Sequence, residues 1–240
     1  MNISSEDLAY LNTRKFSNNY HFESVRNSAK ESRLDLLSSE CAGKRIIHLG
    51  AADHLNLIRD KIQSGIWLHG VLTGVAGECV GVDTAAEVVE HIRQNYGVTN
   101  IMPGDVFSES SVNYFRQGMP WDVMVLGEIL EHIPDPVAFL TRIRHYYSGI
   151  VERIVITVPN ALRFSNFCNS LHGYEAINTD HKYWFTPYTV ASVAVAAGLT
   201  PQWVASCHYV WESPRRQFLR WFLQRRFPFL RDCLVMNATL

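Results

Sequence analysis

The stretch "WDVMVLGEILEHIPDP", residues 121–136, decides how the rest of the chain is interpreted. Its first half contains the apolar run VMVL, residues 123–126, which is typical of a strand buried on both faces of a sheet. Its second half places two acids and an imidazole within five positions, at Glu128, Glu131 and His132. The stretch therefore predicts a core strand that delivers a cluster of titratable groups at its carboxyl end.

Short apolar runs alternate with helical patterns along most of the chain. Strands are predicted over 45–49, 79–83, 99–105, 121–128 and 153–160, and helices over 53–63, 84–95, 109–117 and 136–147. This alternation is typical of βαβ units, which form a parallel sheet with helices on both faces. A further helix from Pro187 to Gly198 precedes two more predicted strands, over 200–211 and 232–240. We expect a doubly wound α/β fold, with a mostly helical N-terminal cap over its ligand-binding edge.

Each predicted strand ends in a small or polar residue, at the edge where open parallel sheets bind their ligands. Gly50 permits a close backbone approach, Asp83 suits a ribose diol, and Asp105 suits an adenine amino group. One such aspartate alone is more often a turn or cap residue, but the series predicts an adenosine-containing ligand. The loop LGAADH, residues 49–54, lacks the glycines that hold a pyrophosphate. This loop favours S-adenosylmethionine over NAD, because S-adenosylmethionine carries no phosphate and its ammonium group suits the Asp53 carboxylate.

Six segments resemble, in the same order, the motifs of class I S-adenosylmethionine-dependent methyltransferases over about residues 43–210. They are "IIHLGAADH", "VGVDTAAEVV", "IMPGDVF", "WDVMVLGEILEHIPDP", "RIVITVPNA" and "DHKYWFTPYTVASVAVAAGL". The sequence looks most like the branch that includes ubiquinone-pathway O-methyltransferases and bacterial sugar or glycan methyltransferases. The resemblance implies a seven-stranded Rossmann-like sheet, mostly parallel, whose last strand is antiparallel. It also implies an N-terminal helical cap over 1–42 and an S-adenosylmethionine-binding methyltransferase domain over 43–240.

The resemblance also implies which residues hold the cofactor. They are Gly50, Ala51 and Asp53 for the methionine moiety, Asp83 and Thr84 for the ribose, Asp105 and Val106 for the adenine, and Gly127. Two features depart from the family's pattern. The loop after the first strand is poor in glycine, and the interval from Gly50 to Asp83 is longer than the usual interval of about 20 residues. We therefore expect an inserted turn or a longer helix in that interval.

Glu128, Glu131 and His132 have three interpretations. In the first, all three are structural: Glu128 ends the strand, Glu131 caps the next helix, and His132 is a half-buried histidine. In the second, His132 or Glu128 is the general base for the attacked hydroxyl. In the third they share one face of a helical turn and, with His181, bind Mg²⁺ or Mn²⁺. The pattern E-x-x-E-H with a distant histidine is similar to the metal-binding set of small-RNA 2′-O-methyltransferases, and ubiquinone-pathway enzymes share its E-x-x-E-H part.

Composition and net charge limit the cellular location and the binding partners that we expect for this protein. The net charge of −1 gives no broad footprint for nucleic acid, and no apolar run approaches the roughly 20 residues of a membrane span. Five scattered cysteines without a CxxC pair, and an N-terminus without a signal peptide, predict a soluble cytoplasmic protein. The basic, aromatic segment 213–231 is a candidate for peripheral contact with a membrane or RNA. Alternatively, it is a crossover helix that packs on the sheet or on a partner subunit of an oligomer.

The sequence therefore predicts an S-adenosylmethionine-dependent methyltransferase that acts on a hydroxyl of a sugar, glycan or phenolic small molecule. His132 is the first candidate for the base or a metal ligand. The aromatic-rich lid segment, residues 160–186, is expected to cover the acceptor or to be a packed connector. The alternatives are RNA ribose 2′-O-methylation, which the neutral charge disfavours, a non-catalytic S-adenosylmethionine-binding partner protein, and a nicotinamide-dependent reductase.

Overall fold

The computed structural model describes residues 2–23, 25–26, 32–209, 222–224 and 226–240. Residues 210–221 and 225 lie outside this range, so both interpretations of the segment 213–231 fall largely outside the described residues. None of the described helices is long and apolar enough to cross a membrane.

The centre of the fold is one mixed sheet. Its strands are β1 (Val25–Arg26), β2 (Arg45–Leu49), β3 (Glu78–Asp83), β4 (Ile101–Pro103), β5 (Trp121–Gly127), β6 (Val151–Pro159), β7 (Thr200–Cys207) and β8 (Cys233–Thr239). They are ordered β1-β7-β8-β6-β5-β2-β3-β4, and β8 pairs antiparallel with both β6 and β7. Apart from the two-residue β1 at its edge, this is the predicted seven-stranded sheet with an antiparallel last strand. The predicted fold class is confirmed.

The helices of the described residues include one at each of the five predicted positions, with small shifts at its ends. They are α1 (Ser5–Leu11), α2 (Arg33–Cys41), α3 (Leu55–Gln63), α4 (Leu68–Val75), α5 (Ala86–Tyr96), α6 (Glu109–Gln117), α7 (Pro136–Tyr147), α8 (Phe164–Leu171) and α9 (Pro187–Ala196). The helix predicted from residue 53 begins at Leu55, because Asp53 has φ 61°, outside the right-handed helical region. The long interval before Asp83 contains a separate helix, α4, rather than a simple extension of α3.

Several predicted strands extend past the carboxyl ends of the strands in the structure. The strand predicted over 99–105 pairs only over Ile101–Pro103, because the chain turns at Gly104 with φ 152°. The strands predicted to end at Glu128 and Asn160 end one residue earlier, at Gly127 and Pro159. The polar residues Asp105, Glu128 and Asn160 therefore follow the strands rather than belonging to them.

The sheet is buried on both faces, as the apolar run in β5 predicts. Val123 and Val125 pack with α2 and α4 on one face, whereas Met124 and Leu126 pack with α6, α7 and α9 on the other. This division follows from the strand's period of two residues. At the N-terminus, α1 packs against α9 and α2 packs against α4. Of the predicted cap over 1–42, α2 is the helix that reaches the ligand-binding edge of the sheet.

Candidate active site

Two cavities meet at Gly50, at the carboxyl ends of the central strands. The β3–β4 cavity has a volume of about 210 Å³, and the residues that line it include Gly50, Asp83, Thr84, Asp105, Val106 and Ile129. The β2–β5 cavity has a volume of about 380 Å³, and the residues that line it include Arg33, His48, Gly50, Ala51, Asp53, Lys61, Gly127, Glu128, Glu131, His132, His181 and Tyr209. Every residue predicted to hold the cofactor therefore borders one of two adjoining cavities.

Asp83 ties the loop after β2 to the end of β3. One carboxylate oxygen accepts a hydrogen bond from the backbone N–H of Ala52, and the other accepts one from Ala85, both at 2.9 Å. Asp105 similarly accepts from the N–H of Phe107 at 2.9 Å. Both aspartates are thus turn residues and also cavity residues. A carboxylate oxygen accepts more than one hydrogen bond, so each retains capacity for a ligand hydroxyl or amino group.

The glycine-poor loop, residues 49–54, is held in place by a side-chain hydrogen bond and by the burial of its alanines. Gly50 has φ 67°, and a Cβ there would lie 3.1 Å from Ile129 Cδ1, so this position requires glycine. The Ala51 carbonyl accepts a 3.0 Å hydrogen bond from the indole Nε1 of Trp67, the residue that precedes α4. Ala52 is fully buried. The inserted helix and the buried alanines therefore fix the loop without the further glycines of a dinucleotide-binding loop.

Asp53 is paired with a lysine of α3. Its backbone is left-handed, with φ 61°, and its carboxylate forms an ion pair with Lys61 on α3. One of its oxygens also accepts from the N–H of His54 at 2.7 Å. The carboxylate borders the β2–β5 cavity, so a ligand's ammonium group there would share Asp53 with Lys61.

Glu131, His132 and His181 come together beside this cavity. One potential ligand atom from each lies within 4.8 Å of the others. Glu131 is fully buried, and neither of its carboxylate oxygens has a hydrogen-bond partner among the described residues. Burial, reinforced by the negative charge of Glu128, raises the pKa of Glu131 to about 9. Burial also lowers the pKa of His181, and the neighbouring His132 lowers it further.

This donor set fits a divalent cation. A buried carboxylate without donors is costly, and a bound cation would satisfy it. One carboxylate and two imidazoles suit Mn²⁺ and related ions, and carboxylates also suit Mg²⁺. The cluster depends on the lid segment, because the N–H of Lys182 donates to the Glu131 carbonyl at 2.7 Å and so brings His181 alongside. The third sequence interpretation therefore has a structural basis in three of its four residues.

Glu128 lies outside this cluster. Its backbone is left-handed, with φ 59°, and the helical turn that follows covers only Leu130–His132. The Glu128 side chain instead accepts hydrogen bonds from the Tyr209 hydroxyl at 2.6 Å and the Thr157 hydroxyl at 3.2 Å. The shared helical face expected for the three residues at 128, 131 and 132 does not form. Glu128 nevertheless borders the same cavity as His132.

Arg33 and Tyr209 were not predicted from the sequence, although both line the β2–β5 cavity. Tyr209 follows β7, which runs parallel to β6 because β8 is antiparallel to both, so the rule about carboxyl ends was a usable signal. Arg33 begins α2 in the N-terminal segment, and no local motif marks it.

The lid segment is anchored at both ends and exposed between them. The buried Asn160 donates to the carbonyls of Phe229 and Arg231 at 2.8 and 2.7 Å, and the Tyr183 hydroxyl donates to the Pro134 carbonyl at 2.7 Å. Between these anchors, α8 contains no buried residue. His181 and Asn178 border the β2–β5 cavity from this segment.

No protein-family model matches the chain, and no curated protein matches its sequence. Similar solved structures include the small RNA methyltransferase HEN1, at 14% identity and a TM-score of 0.51, over 94% of this chain and 27% of that one. A SAM-dependent methyltransferase from Aquifex aeolicus is 10% identical with a TM-score of 0.48, over 86% of this chain and 89% of that one. One from Mesorhizobium loti is 13% identical with a TM-score of 0.49, over 86% and 95% of the two chains. The match to HEN1 shows that the chain has a methyltransferase fold.

Proposed function

We propose that this protein is an S-adenosylmethionine-dependent O-methyltransferase that acts on a hydroxyl of a sugar, glycan or phenolic small molecule with the help of Mg²⁺ or Mn²⁺. The observation that carries the proposal is Glu131, a fully buried carboxylate without hydrogen-bond partners, next to His132 and His181. It lies at the carboxyl edge of a methyltransferase-like sheet, where the ligand would bind. The free cysteines support a cytoplasmic location.

The two adjoining cavities suit the two ends of the cofactor. Asp83 and Asp105 offer acceptors for the ribose and the adenine in the β3–β4 cavity, and Asp53 offers an acceptor for the ammonium group in the β2–β5 cavity. The cofactor would supply a methyl group bonded to a sulfonium, which is transferred in line to the attacking oxygen. The chain's own contribution is to hold donor and acceptor in this geometry and to remove the acceptor's proton.

Glu131, His132 and His181 would hold the cation. A bound cation would orient neighbouring hydroxyls and lower the pKa of the one that attacks. Without a cation, His132, half-buried at the cavity wall, would accept the proton directly. Glu128 is the weaker candidate for the base, because its oxygens already accept hydrogen bonds from Tyr209 and Thr157.

Methylation of an RNA ribose at its 2′-hydroxyl is a second candidate. The same cluster of one carboxylate and two histidines supports it, together with the likeness to the HEN1 fold. A terminal ribose, a glycan and a catechol all present neighbouring hydroxyls, so the cluster alone does not choose among them. The net charge of −1 favours the small-molecule acceptor.

The test combines calorimetry with an acceptor panel. S-adenosylhomocysteine is titrated into chelator-treated protein, and Mn²⁺ is titrated separately into the wild type, Glu131→Gln and His181→Asn. His145→Asn, an exposed histidine on α7, is the matched control. We expect binding of S-adenosylhomocysteine in all four proteins, and Mn²⁺ binding in the wild type and the control alone. Methyl transfer is then measured with a catechol, oligosaccharides and a short RNA.

Each part of the proposal has an outcome that contradicts it. Absence of S-adenosylhomocysteine binding would remove the cofactor assignment. Binding with Mn²⁺-independent transfer that survives Glu131→Gln would remove the cation and leave His132 as the base. Transfer to the RNA alone would replace the small-molecule acceptor with the second candidate.

A further inference from the structure

The helix α8 of the lid segment is amphipathic, yet it contains no buried residue. Its apolar residues Phe164, Phe167, Cys168 and Leu171 recur at the spacing of one helical face. Phe167 is 55% exposed and Leu171 is 70% exposed. Such a stripe normally faces a protein core. Among the described residues, therefore, α8 lacks the apolar partner that its sequence pattern predicts.

The exposed apolar surface extends to both sides of α8. Leu162 precedes the helix, and Tyr174 and Ile177 follow it, and all three side chains are exposed. Five exposed large apolar side chains therefore lie within residues 162–177. Single apolar residues on a surface are ordinary, whereas a concentration of them marks a binding surface.

The arginine-rich segment, residues 213–231, combines positive charge with apolar side chains. It contains six arginines and no acidic residue, and five aromatic residues and three leucines are interleaved with the arginines. The whole chain has a net charge of −1, so the rest of the chain is acidic. The segment is thus a local excess of positive charge on an otherwise acidic chain.

The described end of the arginine-rich segment lies beside the start of the lid segment. Asn160, a few residues before α8, donates hydrogen bonds to the carbonyls of Phe229 and Arg231. Phe227 is 46% exposed, and the guanidinium of the exposed Arg226 lies 5.5 Å from the centre of its ring. Exposed apolar side chains of both segments therefore flank one anchor.

Both segments belong to the edge of the sheet where the cavities open. β7 ends at Cys207, which pairs with Cys233 at the start of the antiparallel β8. The connection between these strands, which contains the arginine-rich segment, therefore leaves and rejoins the sheet at its carboxyl edge. Tyr209, before the arginine-rich segment, and Asn178 of the lid segment both border the β2–β5 cavity.

We propose that the exposed face of the lid segment and the arginine-rich segment together form a docking surface for an anionic lipid bilayer. An amphipathic helix binds a bilayer by placing its apolar side chains at the boundary of the acyl chains, and clustered arginines attract anionic headgroups. The proposal does not depend on methyl transfer. It places the opening of the β2–β5 cavity beside the headgroups.

Two other occupants fit this surface less well. Single-stranded RNA would use the arginines and the aromatic rings, but the aliphatic side chains of Leu162, Leu171 and Ile177 offer no stacking surface to bases. A second copy of the chain, bound symmetrically through the same surface, would bring two arginine-rich segments together. Like charges would then oppose the contact, whereas an anionic bilayer complements them.

The experiment measures co-sedimentation of the protein with two kinds of vesicle. One kind contains phosphatidylcholine alone, and the other contains an equimolar mixture of phosphatidylcholine and phosphatidylglycerol. We expect binding to the mixed vesicles at low salt and much weaker binding to phosphatidylcholine. Binding should fall as NaCl is raised, because salt screens the attraction between arginines and headgroups.

A first pair of variants tests the apolar contribution. Phe167→Ser/Leu171→Ser removes exposed side chains only and should weaken binding to the mixed vesicles roughly 10- to 100-fold, because two apolar side chains no longer leave water. The matched control is Tyr114→Ser/Met119→Ser, which changes two exposed residues in and just after α6. The control should bind as the wild type does.

A second pair of variants tests the charge. Arg215→Gln/Arg216→Gln should weaken binding roughly 25-fold, since each arginine near an anionic surface contributes about a factor of five. The control Arg93→Gln/Arg116→Gln changes two exposed arginines on α5 and α6 and should leave binding unchanged. Thermal unfolding of every variant checks that it is folded.

Four results would overturn the inference. Absence of binding to the mixed vesicles at low salt would remove the bilayer as a partner. Equal binding to both kinds of vesicle, with no loss in Arg215→Gln/Arg216→Gln, would exclude recognition of anionic lipid. Binding of a labelled single-stranded RNA without binding of vesicles would assign the arginines to nucleic acid. A dimer in analytical ultracentrifugation that Phe167→Ser/Leu171→Ser dissociates would assign the apolar face to a second copy of the chain.

Discussion

Two buried histidines next to the β2–β5 cavity should make the fold sensitive to acid. His48 on β2 and His69 on α4 have Nδ1 atoms 3.2 Å apart, and the Nε2 of each has no hydrogen-bond partner among the described residues. Burial lowers the pKa of His69 from 6.5 to about 4. Burial, together with the neighbouring His69 and Arg33, holds the pKa of His48 well below 6.5. Both imidazoles are therefore neutral in the folded protein at neutral pH.

The sign of the effect follows from proton linkage. Between pH 6.5 and 4 the unfolded chain binds a proton at His69 that the folded protein does not bind, so stability falls as the pH falls through this range. The stability is fully present above pH 6.5. At pH 5 the loss from His69 alone is about 2 kcal/mol, since one pKa unit corresponds to about 1.4 kcal/mol.

The assay is urea unfolding at pH 7.5 and pH 5.0, with a chelator present, for the wild type, His69→Asn and the exposed control His145→Asn. Between these two pH values, His69→Asn should lose about 2 kcal/mol less of its unfolding free energy than the wild type. The control should lose as much as the wild type. If His69→Asn and the wild type show the same pH dependence, His69 is not the titrating group and the reasoning fails.

Three further predictions concern single positions around the site. Gly50→Ala should lower the free energy of unfolding by about 1–2 kcal/mol, because it imposes φ 67° on alanine and brings a Cβ to 3.1 Å from Ile129; an unchanged urea midpoint would contradict this. Asp135→Ala should cost about 1 kcal/mol, because Asp135 caps the first turn of α7, whereas Asp135→Asn should retain the cap; equal losses in both variants would exclude the capping role. Tyr209→Phe should cost about 1.5–3 kcal/mol by removing the hydroxyl that donates to Glu128; a double-mutant cycle with Glu128→Gln that shows no coupling energy would disprove the link.

The fold was predictable because its signals are local. The run at 123–126 alternates between the two faces of the sheet in the structure, as a strand buried on both sides must. Helix starts such as Asp135 before Pro136 are also local, since an acid cap and a proline at the first helical position occur together. The separate helix α4 was only half predicted. The extra length before Asp83 is evident in the sequence. Its role in supporting the loop after β2 is evident only in the structure, from the hydrogen bond between Trp67 and Ala51.

The site was less predictable, because its geometry depends on distant partners. Glu131 and His132 followed from one motif and His181 from another, and the structure brings the three together. The position of Glu128 did not follow, because its left-handed backbone is unusual for glutamate and its partner Tyr209 lies 81 residues away. Arg33 was missed for the same reason, since its contact with Thr157 spans 124 residues.

The hydrogen bond from the N–H of Lys182 to the Glu131 carbonyl joins the lid segment to the chain that follows β5. Glu131 and His132 follow a central strand, whereas His181 belongs to the lid segment, so the three-residue cluster is complete only while the lid segment is docked. If this segment acts as a lid in the proposed reaction, its opening would also take away one ligand of the proposed cation. Turnover and exchange of the metal would then require the same opening of the segment. Hydrogen–deuterium exchange at the Lys182 amide would report that opening.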